Sequence, residues 1–105
     1  MRLFDLHCDT LYRVFTENLP VDSDLLSITA DKASFLEKYT QLMAVWIPDS
    51  IRGNDAFDFF LNCADIFKRN YFPINNENIN FCLSVENGSV IGGDVSKIPL
   101  LRDYG

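Results

Sequence analysis

The sequence predicts an α/β protein in which helices alternate with the strands of a parallel sheet. Two patterns indicate this fold class: short apolar segments of strand length, and segments whose apolar residues recur every three or four positions. The chain has 105 residues, 48% of them hydrophobic, which suits one folded domain rather than a disordered tail. We therefore expect one domain that spans residues 1–105.

The first strand is predicted from Arg2 to Cys8, where apolar and polar residues alternate. A regular strand would turn Asp5, His7 and Asp9 to one face of the sheet and Cys8 to the other. Since His7 is the single histidine of the chain, this strand carries its only imidazole.

Two short helices are predicted before the second strand. The first covers residues 11–15 and takes Thr10 or Asp9 as its cap. Residues 18–31 are mainly polar and are expected to form a long connection. The second helix is expected from Lys32 to Tyr39.

The second strand is predicted from Gln41 to Ile47, a nearly continuous apolar segment typical of a parallel strand covered on both faces. The clearest helix of the sequence follows, with Asn54 or Asp55 as its cap. Its apolar residues recur at helical spacing and predict one buried face. They are Ala56, Phe59, Phe60, Cys63, Ile66 and Phe67.

The third βα unit is predicted at the end of the chain. Asn75 and Asn76 indicate a turn, and residues 80–85 form the third strand. Ser96 is expected to cap a last helix, which has Pro99 in its first turn. The glycines predict a flexible loop before this helix and a C-terminal cap after it. They are Gly88, Gly92 and Gly93 in the loop and Gly105 at the cap.

The composition excludes several classes of protein. A net charge of −6 without a basic stripe argues against binding to nucleic acid. The longest apolar segment is far shorter than the ~20 residues that cross a bilayer, and no signal peptide is visible. The cysteines form no CxxC pair, so we expect packed thiols in a reducing, cytoplasmic location. They are Cys8, Cys63 and Cys82.

Three parallel strands leave open sheet edges, which proteins normally pair or cover. We therefore expect residues 1–105 to be the N-terminal three βα units of a TIM (β/α)₈ barrel, truncated before the fourth strand. A doubly wound sandwich is the alternative, although that fold normally has five strands or more. The uncovered edges make a homo-oligomer plausible.

Residues with metal-binding chemistry are predicted at the carboxyl ends of two strands. His7 and Asp9 follow each other at strand spacing of roughly 7 Å, so a nitrogen and an oxygen could reach one cation. Glu86 ends the third strand, and active sites of barrels form at these strand ends. Asp5 lies one step deeper on the same predicted face, where it could orient one of the metal-binding side chains. Taken alone, His7 would be an ordinary hydrogen-bonding residue and Glu86 a solvated loop residue.

Two motifs resemble those of the membrane (renal-type) dipeptidases, which are zinc peptidases with a metal-dependent hydrolase barrel. The segment DLHCDT, residues 5–10, resembles the opening Asp-x-His-x-Asp motif of that family. The segment LSVENG, residues 83–88, with IGGD and LLRDYG after it, resembles the third βα unit. Residues 41–47 are similar to the second strand.

The resemblance implies an enzyme that hydrolyses dipeptides with two zinc ions. His7 and Asp9 would bind one ion, and Glu86 would bridge both. The two other histidine ligands of the family, and its substrate-binding His and Arg residues, lie on later strands, beyond residue 105. The resemblance therefore implies that residues 1–105 alone are inactive.

Two other functions stay open. The phosphoesterases of the polymerase-and-histidinol-phosphatase type have the first motif Asp-Leu-His-x-His and also use a glutamate at a strand end. Asp9 stands where that motif has its second histidine, which favours the dipeptidases. The third possibility is a non-catalytic α/β interaction module whose acidic surface binds a basic partner.

Overall fold

A computed structural model describes residues 1–104 of the chain, so the predicted cap at Gly105 lies outside the described residues. The strands are β1 (Arg2–Cys8), β2 (Lys38–Val45) and β3 (Ile79–Val85). The α-helices are α1 (Thr10–Thr16), α2 (Ala30–Ala33), α3 (Gly53–Asn70) and α4 (Ile98–Arg102). Short 3₁₀ turns lie at Phe72–Ile74, Gly88–Ile91 and Val95–Lys97.

The three strands form one parallel sheet in the order β1-β2-β3, which confirms the predicted α/β class. Parallel neighbours need a crossover connection, and α1 with α2, then α3, lie in the two connections. Since all three strands run the same way, their carboxyl ends lie at the same edge of the sheet.

The hydrophobic core lies on one face of the sheet, between the strands and helices α1 and α3. The predicted apolar face of α3 supplies much of this core, and five of its six residues are fully or almost fully buried. They are Ala56, Phe59, Phe60, Cys63 and Phe67. From β2, Tyr39, Met43 and Val45 pack against them. The helix stripe predicted from the sequence is therefore the core stripe of the molecule.

The prediction of strict alternation in β1 is wrong. Asp5 pairs with Gln41 and Cys8 pairs with Met43, so three steps along β1 correspond to two steps along β2. One extra residue lies between these pairs, which is a β-bulge. Because residues paired across a parallel ladder face the same side, Asp5 and Cys8 share the helix-covered face.

Several predicted boundaries are also wrong. The helix expected from Lys32 to Tyr39 is one turn at Ala30–Ala33, because its last two residues pair with β1 and begin β2. Arg52 takes the cap position of α3, in extended backbone, instead of the expected Asn54 or Asp55. Ser96 lies in a 3₁₀ turn, where its backbone N–H donates to Asp94, and does not cap α4.

The outer edge of β3 is partly capped by the turn that precedes it. The side-chain amide of Asn75 accepts from the Phe81 N–H at 2.7 Å and donates to the Phe81 carbonyl at 2.9 Å. The Asn76 side-chain carbonyl accepts from the Ile79 N–H at 3.0 Å, and the Asn76 backbone N–H donates to the Ile79 carbonyl at 2.8 Å. The expectation that β3 has a fully open edge is therefore wrong for its N-terminal half.

The face of the sheet opposite the helices is exposed at β1. Phe4 pairs with Thr40 and is 61% exposed, and Leu6 is 70% exposed. In β2, Thr40 and Leu42 are half-buried, so the strand predicted to be covered on both faces is fully covered on one only. In the part of the chain that the structure describes, no helix is both long and apolar enough to cross a membrane.

Replacing Phe60 should test how much the core depends on the apolar face of α3. The Phe60 side chain is fully buried, and its ring meets the ring of Tyr104 edge-on at 5.7 Å. We expect Phe60→Ala to lower the free energy of unfolding by about 3–5 kcal/mol in urea titrations. Phe35→Ala, at a residue that is 77% exposed, is the control and should change it by less than about 0.5 kcal/mol. Equal effects of both changes would contradict the assignment of the core.

Gly92 is the second residue whose replacement tests the fold. It ends the 3₁₀ turn at Gly88–Ile91 with a φ of 59°, and a Cβ there would lie 3.1 Å from the backbone of Gly53. The predicted flexible loop is thus a turn packed against the start of α3. Gly92→Ala should cost roughly 1–3 kcal/mol in thermal or urea unfolding. Gly88→Ala, which meets open space, should be nearly neutral, and a larger loss there would refute this reasoning.

Candidate metal centre

His7, Asp9 and Glu86 come together at the carboxyl edge of the sheet. His7 lies near the end of β1, and Asp9 is the residue before α1. Glu86 directly follows β3, where its backbone N–H donates to the Val45 carbonyl at 3.2 Å. The axes of β1 and β3 are about 9.6 Å apart because β2 lies between them, so the side chains reach across the end of β2.

The three side chains approach each other closely enough to share one cation. His7 Nε2 lies 3.2 Å from Asp9 Oδ1 and 3.8 Å from Glu86 Oε2. One ligand atom from each residue lies within 4.8 Å of the other two. A tetrahedral ion with bonds of about 2.1 Å needs ligand atoms about 3.4 Å apart. The site therefore fits a divalent ion with small side-chain adjustments.

The donor set also suits such an ion. One imidazole nitrogen and two carboxylate oxygens are ligands that zinc, manganese and iron all accept. Three protein ligands leave at least one coordination position open, which is typical of catalytic rather than structural zinc sites. The side chains are 49%, 55% and 40% exposed for His7, Asp9 and Glu86, so a cation held by them would be accessible to solvent.

Asp5 contacts the backbone of the site. Its Oδ1 accepts a hydrogen bond from the His7 N–H at 3.1 Å, across the β-bulge. Asp5 and His7 also line one cleft. The expected orienting role of Asp5 stays a prediction, and the observed contact is made to the main chain.

Two clefts flank the three candidate ligands. One has a volume of about 410 Å³ and lies against Asp5, His7, Asp9 and the segment Leu26–Ile28. The other has a volume of about 440 Å³. It is lined by Asp9, Tyr12, Arg13, Glu17, Trp46 and Glu86. Both volumes fall in the range that small-molecule sites have in other proteins.

An ion pair stands between the two clefts. Arg13 donates from Nε and Nη2 to the two carboxylate oxygens of Glu17, each at 2.9 Å, and from Nη1 to the Leu25 carbonyl. The hydrogen bonds from Arg13 hold the pKa of Glu17 below its usual range. Glu17 therefore stays ionised, and the charge of Arg13 is already matched by a carboxylate.

The thiols take no part in this group of ligands. Burial raises the pKa of Cys63 to about 12, which fits its predicted role as a packed thiol. Cys8 and Cys82 are half-buried, and burial also raises the pKa of Cys8. Within residues 1–104, the only group of three or more potential ligands that the structure brings together is His7, Asp9 and Glu86.

Sequence reasoning missed several residues beside the site. Trp46 follows β2, and its position just after a strand end was a usable signal. Tyr12 meets the Trp46 ring edge-on at 5.1 Å, and Arg13 follows it on α1. No local pattern marks the approach of Leu26–Ile28, because a long connection carries no periodicity.

Comparison of the sequence with models of known protein families gave no match, and no curated protein matched it. The residues of the site and the fold that brings them together are therefore the basis on which a function can be proposed.

Proposed function

We propose that this chain carries part of the metal centre of a zinc-dependent dipeptidase. The observation that supports this proposal most is the convergence of His7, Asp9 and Glu86 at the carboxyl ends of parallel strands. When bound, a divalent cation polarises a carbonyl group and lowers the pKa of water. His7 and Asp9 would hold one ion, and Glu86 would hold it as well or bridge to a second.

The residues around the site favour a peptide over a phosphate ester. The clefts contain four carboxylates, from Asp5, Asp9, Glu17 and Glu86. Within the described residues, the lining of these clefts has one Arg and no Lys, and the guanidinium of Arg13 is paired with Glu17. A phosphate ester would bring net negative charge to this acidic opening, whereas a dipeptide is a zwitterion whose carboxylate and ammonium group balance each other. The phosphoesterase alternative is therefore the weaker one.

The architecture supports a barrel as the complete enzyme. A parallel sheet normally has helices on one face and further structure on the other, and here Phe4 and Leu6 are exposed. Additional βα units would cover this face and supply the remaining metal ligands. Self-association of the 105-residue chain would cover the same surface. The free cysteines suit a reducing compartment such as the cytoplasm.

Metal binding should be measurable on the 105-residue chain. We expect zinc to bind with a Kd of about 1–100 μM in titration calorimetry, because three exposed ligands chelate less strongly than a complete site. His7→Ala and Glu86→Gln should each weaken binding at least ~tenfold. Glu77→Gln removes a charge at the opposite end of β3 and should leave binding unchanged. The proposal fails if zinc does not bind, or if the three variants bind it equally.

Dipeptide hydrolysis should be absent from the 105-residue chain by itself. Within residues 1–104 the structure brings together three candidate ligands, fewer than a two-zinc centre requires. Addition of zinc should therefore produce no turnover of a dipeptide panel, measured by chromatography of the released amino acids. Turnover that disappears in His7→Ala would contradict this expectation.

The proposal of a barrel can be tested on the gene. Coding sequence that continues beyond residue 105 should specify histidines at the ends of later strands. A continuation without such histidines would remove the support for a dipeptidase barrel.

A further inference from the structure

The bulge in β1 lies between Asp5 and Cys8 and contains a candidate metal ligand. Over these positions β1 has one residue more than β2, so the regular ladder is interrupted at Leu6 and His7. A bulge changes the direction in which the following side chains point, and it leaves a backbone group without its ladder partner. The position of the His7 imidazole therefore depends on how the bulge is held.

Asp5 holds the bulge from its N-terminal side. Its carboxylate accepts from the N–H of His7, two residues later, which is the hydrogen bond of an Asx turn. This bond gives the His7 N–H a partner at the point where the ladder is interrupted. The imidazole of the same residue lies 3.2 Å from Asp9 and 3.8 Å from Glu86.

We propose that Asp5 is a positioning residue that fixes the direction of the His7 imidazole through the His7 backbone. The role depends on the acceptor oxygen of Asp5 and does not depend on its charge. Its consequence for metal affinity rests on the proposed function, whereas the effect on the His7 backbone stands without it.

Two substitutions of Asp5 distinguish the role of its acceptor oxygen from the role of its negative charge. Asp5→Asn removes the charge but keeps an oxygen that forms the same Asx turn, whereas Asp5→Ala removes both. We expect Asp5→Ala to weaken zinc binding about tenfold in calorimetry, the lower end of the effect of outer-shell changes, and Asp5→Asn to bind like the wild type. Asp58→Ala is the matched control, because it removes one exposed carboxylate from α3 and should have no effect.

Hydrogen exchange at the His7 N–H tests its hydrogen bond to Asp5 directly and requires no metal. In ¹⁵N-labelled protein, hydrogen exchange of the His7 N–H should be faster in Asp5→Ala than in the wild type and in Asp5→Asn. Circular dichroism and urea midpoints should confirm that the variants are folded. If Asp5→Ala does not fold, Asp5→Asn still tests the proposal. Weaker zinc binding or faster exchange of the His7 N–H in Asp5→Asn would contradict a role that depends only on the acceptor oxygen.

Three results would overturn the proposal. Equal loss of zinc affinity in Asp5→Asn and Asp5→Ala would assign the effect to charge. Unchanged zinc affinity in Asp5→Ala would show that Asp5 does not influence the metal-binding site. Unchanged exchange of the His7 N–H in Asp5→Ala would show that Asp5 does not hold the His7 backbone. If the wild-type chain binds no zinc, the proposed function fails, and the exchange measurement alone decides whether Asp5 holds His7.

Discussion

The parallel pairing of β1 and β3 with the central strand β2 determines where the chemically active side chains lie. Parallel strands end at one edge of the sheet, so residues far apart in sequence meet there when they follow different strands. His7 and Glu86 are separated by 79 positions and are 3.8 Å apart at their closest atoms. An antiparallel arrangement of the same strands would place them at opposite ends.

The core that holds these strands is one-sided. Phe60 and Phe67 of α3 and Met43 of β2 are buried on the helix face, while Phe4 is exposed on the opposite face. At the outer edge of β3, the amide of Asn75 occupies the backbone groups of Phe81. A neighbouring strand could therefore pair only with the C-terminal half of β3, near Leu83 and beyond, unless this turn moves. Any barrel that contains this unit must satisfy that constraint.

Much of the fold could be predicted because it depends on periodicity. The α3 stripe and the order of strands and helices are properties of local sequence, and both were found. The end of the second helix was missed because Lys38 and Tyr39 join β2 by pairing with Arg2 and Leu3, 36 positions away. Tertiary pairing outweighed helix propensity there, which a reading of local sequence does not detect.

The candidate site shows the same division. Its three residues could be found because each follows a predicted strand or ends it, and strand ends of one sheet share an edge. The bulge could not be found, because Asp5 to Cys8 alternates in sequence without a glycine or proline to mark an interruption. The bulge is visible only in the pairing with Gln41 and Met43. It places Asp5 on the same face of the sheet as Cys8, whereas the sequence predicted opposite faces.

Stability gives no reason for His7, Asp9 and Glu86 to lie together. The side chains are 40–55% exposed, and ion pairs in such surroundings contribute about 0–1 kcal/mol even when the imidazole is protonated. Without a proton on His7, the two carboxylates face a neutral ring in a chain whose net charge is −6. A divalent cation would occupy the same nitrogen in place of a proton and would balance both carboxylates. This compensation of charge is what the proposed function assigns to the three side chains, which the folded chain brings within reach of one cation.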